Sequence, residues 1–147
     1  MKLTSPEFTD QARVPGRFTC EGENISPPLD WSDVPDGAAE LALTCEDPDA
    51  PGGTFAHWVL WGLHPTTSGL RANTAPPGVH AGRNGFGRFG YDGPCPPPGH
   101  GTHHYYFQLS AWDAPIDLPE GASIDELHQA ARGRILDEAT LVGTYQR

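Results

Sequence analysis

Tyr105-Tyr106-Phe107-Gln108-Leu109-Ser110-Ala111-Trp112 is the stretch on which the fold turns. Aromatic and aliphatic residues alternate along it, so that Tyr105, Phe107, Leu109 and Ala111 share one face, with His103 in phase with them. That period predicts a β-strand with a buried side. Two more runs carry a strand signal. Leu41-Ala42-Leu43-Thr44-Cys45 is short and apolar, and Phe55–Leu63 is rich in aromatic and branched residues (Phe55, Trp58, Val59, Leu60, Trp61), the composition that suits a pleated, packed surface. Between them, Glu46 to Gly53 is dense in Pro, Gly and Asp, a turn signal.

Working outward, residues 1–30 are interrupted by Pro6, Pro15-Gly16, Gly22 and Pro27-Pro28, which predicts loops with short strands. Residues 64–101 read as one long irregular region, a length more often functional than accidental in a compact domain. Ser123 with Glu126 forms a capping box; Ile124, Leu127, Ala131, Ile135 and Leu136 follow at helical spacing, weakened by Gly133. Leu141–Tyr145 predicts a short closing strand. Strands and helices do not alternate regularly, so the expectation is a mostly β, antiparallel sandwich with one or two short C-terminal helices, a single domain over 1–147.

Composition narrows the function. Among 147 residues, 18 are Gly and 16 Pro, without a repeat. Acidic residues outnumber basic ones 19 to 9, Lys2 is the sole lysine, and the net charge is −10. Such a surface repels phosphate backbones and anionic bilayers, so no nucleic-acid partner and no stable membrane insertion are expected. Met1–Ser5 lacks an apolar signal core, and no stretch approaches the ~18 apolar residues of a spanning helix, which points to a cytoplasmic protein. Cys20, Cys45 and Cys95 are odd in number and widely spaced, the pattern of reduced thiols rather than a disulfide framework or a zinc knuckle.

Three segments offer polar chemistry. Asp47 and Asp49 sit in Asp47-Pro48-Asp49-Ala50-Pro51, where proline stiffens the turn; the carboxylates either point at a ligand or cap the turn itself. His57 lies inside an apolar strand, where it is either a satisfied buried residue or a donor. Tyr91 to Tyr105 combines Gly93, Gly99 and Gly101 with prolines and then His103-His104-Tyr105; its amides, imidazoles and phenol suit an oxyanion, and its alternative is an ordinary Gly/Pro loop.

Taken in order, these segments resemble the phosphatidylethanolamine-binding protein family, in its bacterial and archaeal Raf-kinase-inhibitor-like branch. The resemblance runs through Cys20–Leu29, Asp47–Pro51, His57–Trp61, Gly82-Arg83-Asn84, Gly87-Arg88, Gly90–His103 and Leu141–Tyr145. It implies a β-sandwich with a small anion pocket lined by Asp47, Asp49, His57, Tyr91, Gly93, Pro97, His103 and Tyr105, accepting phosphate-like groups. It also suggests a homodimer, by analogy with prokaryotic relatives, and regulation of an unidentified protein partner, as in kinase-inhibiting members. No catalytic residue, metal or cofactor is expected. The chain departs from the family at His104, where Arg is usual, and at Gly85, where Asp is common.

The leading expectation is therefore a binding protein for a small anionic or phosphorylated ligand, with His57 and His103 donating to its oxygens and a nearby carboxylate favouring their protonated forms. The alternative is a hydrolase using the His/Asp pocket, against which stand the missing Gly-x-Ser-x-Gly elbow and the lack of any sign that Cys95 is activated.

Overall fold

A computed structural model describes residues 1–147. In chain order the elements are β1 (Lys2–Thr4), a 3-10 turn (Gly16–Phe18), β2 (Leu29–Ser32), β3 (Glu40–Asp47), β4 (Phe55–Leu63), β5 (Gly69–Leu70), β6 (His80–Ala81), β7 (His103–Trp112), α1 (Ile124–Ala131) and β8 (Ile135–Tyr145). They form a three-stranded sheet, β1-β2-β5, and a five-stranded sheet, β6-β4-β3-β7-β8. All neighbouring strands are antiparallel.

The two sheets close over one core. Leu3, Leu29, Trp31 and Leu70 from the small sheet meet Leu41, Leu43, Leu60, Phe107 and Leu109 from the large one. A second cluster covers the opposite face of the large sheet, where Val59, Trp61 and Trp112 pack beneath Leu127 of α1. Double coverage explains why β4 reads as a nearly continuous apolar run: Trp58 and Leu60 face one cluster, Val59 and Trp61 the other. Strand β7 is buried at His103, Tyr105, Phe107, Leu109 and Ala111, the alternation its sequence predicts.

Two irregularities in the β3–β4 ladder matter. Glu46 faces Ala56 and Cys45 faces Trp58, so His57 is an extra residue on β4 with no partner across the ladder. Such a bulge puts consecutive side chains on the same side, and His57 and Trp58 both turn inward. A second shift lies between Leu41 and Leu43, opposite Gly62 with φ of 83°.

Three expectations are corrected. The periodicity through Ile135 and Leu136 is not helical: α1 ends at Ala131, Gly133 takes φ of 74°, and Ile135 begins a strand of 11 residues. A left-handed glycine just past a helix end is a stop signal. The closing strand is accordingly longer than Leu141–Tyr145, and α1 is the one α-helix. The cysteines are not all reduced: Cys20 and Cys95 form a disulfide across 75 residues, leaving only Cys45 free and buried. Spacing failed here because the bond joins two loops that only the sandwich brings together. No helix is long and apolar enough to cross a membrane.

Candidate functional site

At one end of the sandwich lies a cavity of about 180 Å³, walled by Asp47, Ala50, Pro51, Phe55, His57, Phe86, Cys95, Pro96, Pro97, His103 and Tyr105. It is smaller than the roughly 300–1,000 Å³ of sites for drug-sized ligands. A wider groove, 270 Å³, runs over the outer sheet face along Thr44, Glu46, Thr54, Tyr106, Gln108 and Thr140. The smaller cavity is the better candidate because it gathers buried polar groups: Asp47, His57, His103 and Tyr105 are each at most 3 % exposed.

Asp47 ends β3, and both of its oxygens are engaged. Oδ1 accepts the Asp49 backbone N–H at 2.8 Å, and Oδ2 accepts from His103 Nδ1 at 2.6 Å. The two readings of this residue therefore both hold: one oxygen caps the turn while the other orients a histidine. The second nitrogen of His103, Nε2, is 2.7 Å from Nδ1 of His100. Asp47, His103 and His100 thus form one hydrogen-bonded chain that ends on an exposed imidazole.

His57 is re-aimed by its bulge toward the cavity, edge-on to the Tyr105 ring at 5.2 Å. Its Nδ1 donates to the Asp92 carbonyl at 2.7 Å. That carbonyl is held firmly, because the Asp92 carboxylate accepts from Arg88 (2.9 and 2.8 Å), Asn84 (2.7 Å) and Asn24 (3.1 Å). Burial is the largest influence on His57 and lowers its pKa, outweighing the Asp92 carbonyl and the carboxylates of Asp47 and Asp92. The expectation that nearby carboxylates keep it protonated is reversed at this residue. Desolvation wins in a wall made of Phe55, Phe86 and Tyr105 rings.

The Tyr105 hydroxyl is buried close to the Asp47 carboxylate but makes no hydrogen bond of good geometry. Burial, then the Asp47 charge, push its pKa up, so it stays a protonated donor.

Of the residues the sequence nominated, Asp47, His57, Pro97, His103 and Tyr105 share the cavity wall. The others stand behind or beside it. Tyr91 donates to the Phe18 carbonyl at 2.6 Å and packs edge-on against Trp58. Gly93 gives its N–H to Asn24, and a Cβ there would sit 2.0 Å from the Phe18 carbonyl oxygen; its smallness serves packing against the 18–24 segment, not the approach of a ligand. The Gly99 and His100 amides are likewise taken, by the Arg147 and Pro97 carbonyls. Asp49 lies at the rim, where its Oδ2 accepts from the backbone N–H and Nδ1 of His104, both at 2.8 Å. That pairing holds the Asp49 carboxyl below its ordinary range.

His100, Phe55 and Phe86 were not singled out from the sequence. His100 is flanked by glycines in a loop, and only the fold brings it to His103. The phenylalanines carried no chemical signal beyond hydrophobicity.

The model of the phosphatidylethanolamine-binding protein family matches residues 4–146. The chain belongs to that family. A UPF0098 protein of Methanothermobacter thermautotrophicus is 46 % identical over 152 residues, spanning 100 % of this chain and 99 % of the relative. A Mycobacterium tuberculosis relative that carries a provisional lipoprotein name, LppC, is 44 % identical over 146 residues, 99 % of this chain and 72 % of the relative. The crystal structure of E. coli YbcL, described as a new member of the mammalian PEBP family, superposes with a TM-score of 0.94 at 31 % identity, covering 99 % of this chain and 98 % of that one.

Both departures from the usual phosphatidylethanolamine-binding protein pattern now have a physical account. His104 is not part of the cavity wall, and its ring is held at the rim by Asp49. Gly85 makes room for a cavity wall: a Cβ at 85 would lie 2.4 Å from the Phe55 ring.

Proposed function

We infer that this phosphatidylethanolamine-binding protein family member binds a small oxyanion, or the oxyanion end of a phosphorylated head group, in the cavity of Asp47, His57, Pro97, His103 and Tyr105. The observation that carries the reading is the Tyr105 hydroxyl, buried beside the Asp47 carboxylate on a residue of the cavity wall and without a hydrogen bond of good geometry. Buried polar groups are nearly always satisfied, and an incoming oxygen would satisfy this one. The cavity volume of about 180 Å³ fits a compact head group rather than an acyl chain. Calorimetric titration with phosphoethanolamine tests the reading: saturable binding that weakens in Tyr105→Phe supports it, and no heat of binding with either protein refutes it.

A hydrolytic reading would start from the Asp47–His103–His100 chain, but that chain ends on an imidazole, not on a nucleophile. Cys95 is bonded and Cys45 is wholly buried with its thiol pushed far up. The Cys20–Cys95 bond weighs against the expected cytoplasmic location, since such bonds persist mainly in oxidising compartments.

A further inference from the structure

We propose that the Cys20–Cys95 bond is a redox switch on the cavity. Oxidised, it holds the Cys95–Pro97 wall where an oxyanion binds; reduced by a dithiol, it frees that wall and weakens binding while the sandwich stays folded. This rests on reading the cavity as an oxyanion site and adds what regulates it.

The two sulfurs are placed for such a role. Cys95 is half-buried and belongs to the cavity wall, whereas Cys20 is exposed on a loop behind it. Neither is part of a core cluster. The wall segment reads Pro94-Cys95-Pro96-Pro97-Pro98. Proline has no N–H, so Cys95 carries the segment's one backbone donor, and it reaches no backbone carbonyl. The segment is pinned through acceptors instead. The Pro94 carbonyl takes the Cys20 N–H at 3.1 Å, the Pro96 carbonyl takes Arg147 Nε at 2.7 Å, and the Pro97 carbonyl takes the His100 N–H at 3.1 Å. The third of these is internal to the loop, and the first runs to the same residue that the disulfide joins. The bond therefore does for this wall what a ladder of donors does elsewhere.

Just upstream the chain is held differently. Gly93 donates to Asn24, and the Asp92 carboxylate is gripped by Asn24, Asn84 and Arg88. The Asp92 carbonyl and His57 thus keep their places when the sulfurs part, and the loosening is confined to the proline side of the cavity.

The exposed sulfur is the one a reductant meets. Attack of a dithiol's thiolate on Cys20 Sγ forms a mixed disulfide and expels the Cys95 thiolate. The dithiol's second sulfur then closes a disulfide within the reductant and releases Cys20. Two electrons pass to the protein sulfurs, and the two protons of the dithiol end on Cys20 and Cys95. A disulfide oxidant runs the same steps backwards.

Calorimetric titration with phosphoethanolamine, on oxidised protein and on protein held reduced by excess dithiothreitol, tests the switch. Near-UV circular dichroism follows the fold in both states. A thiol assay on the folded protein should count none before reduction and two after, since Cys45 is wholly buried. Kd is expected to rise at least tenfold on reduction, the scale of re-ordering about one backbone residue on binding, and to recover on reoxidation. By linkage, saturating phosphoethanolamine should make the bond harder to reduce by the same tenfold, about 30 mV for this two-electron couple. The double variant Cys20→Ala, Cys95→Ala should bind as weakly as the reduced protein and ignore the reductant. Equal Kd in the two states, or a reduced protein that unfolds as a whole, would overturn the switch while the oxidised arm still supports the oxyanion reading. If the oxidised protein does not bind phosphoethanolamine, that reading falls and the switch falls with it.

Discussion

Replacing Tyr105 by Phe removes a single oxygen, and the structure assigns that oxygen opposite effects in the free and bound protein. The ring is 0 % exposed and packs against His57 with centroids 5.2 Å apart; those contacts survive the change. The hydroxyl makes no hydrogen bond of good geometry, and an unsatisfied buried polar group costs about 1–3 kcal/mol. The free variant should therefore be as stable as the native protein or more so, by up to about 1 kcal/mol once the small void left by the oxygen is discounted. Binding should suffer, because a hydrogen bond to a charged ligand contributes about 1.5–3 kcal/mol, or roughly a 10- to 100-fold rise in Kd. Urea denaturation without ligand gives the first quantity, and titration with phosphoethanolamine gives the second. A variant that loses more than about 1 kcal/mol of stability and keeps native affinity would show that the hydroxyl is a structural group, and the oxyanion reading would lose its support.

Three other perturbations probe the walls. Reducing the Cys20–Cys95 bond, which closes a separation of 75 residues, should lower stability by about 2–4 kcal/mol; non-reducing and reducing melts of the native protein, beside Cys20→Ser, measure it, and unchanged midpoints would contradict it. Gly85→Asp, restoring the residue common in the family, should drive the Phe55 ring from its place, since a Cβ at 85 lies 2.4 Å from it; the expected cost is about 1–3 kcal/mol of stability together with weaker phosphoethanolamine binding, read by the same denaturation and titration. His57 has its pKa lowered on folding, so below the ordinary histidine value of about 6.5 the unfolded chain binds the extra proton. Stability should fall as pH drops through about 6.5; His57→Gln should flatten that part of a stability-versus-pH curve, and an identical curve for both proteins would refute the assignment.

Much of the architecture was legible because the decisive strands announce themselves. Phe55–Leu63 was read with the bounds it has, and the inward face of β7 follows from simple alternation at Tyr105, Phe107, Leu109 and Ala111. The end of α1 was misread because Ile135 and Leu136 keep a helical phase by coincidence, while Gly133, read as a weak point, is the stop. Asp47, His57, Pro97, His103 and Tyr105 came together as expected, whereas Tyr91, Gly93 and Asp49 turned out to build and brace the wall. The Cys20–Cys95 pair and the His100–His103 contact lay beyond sequence reading, since each joins residues whose nearness depends on loop paths rather than on spacing. His104 could be placed only once its neighbour across the rim, Asp49, was known.

The bulge at His57 has a consequence for how such a site arises and disappears. Deleting that one residue would remove the shift between Cys45 and Glu46, with Ala56 and Trp58 already on opposite faces. Every apolar side chain of the strand would keep its side and the sandwich its core. The imidazole that β4 contributes to this end of the molecule is thus one codon inserted into a strand whose core-facing pattern is complete without it.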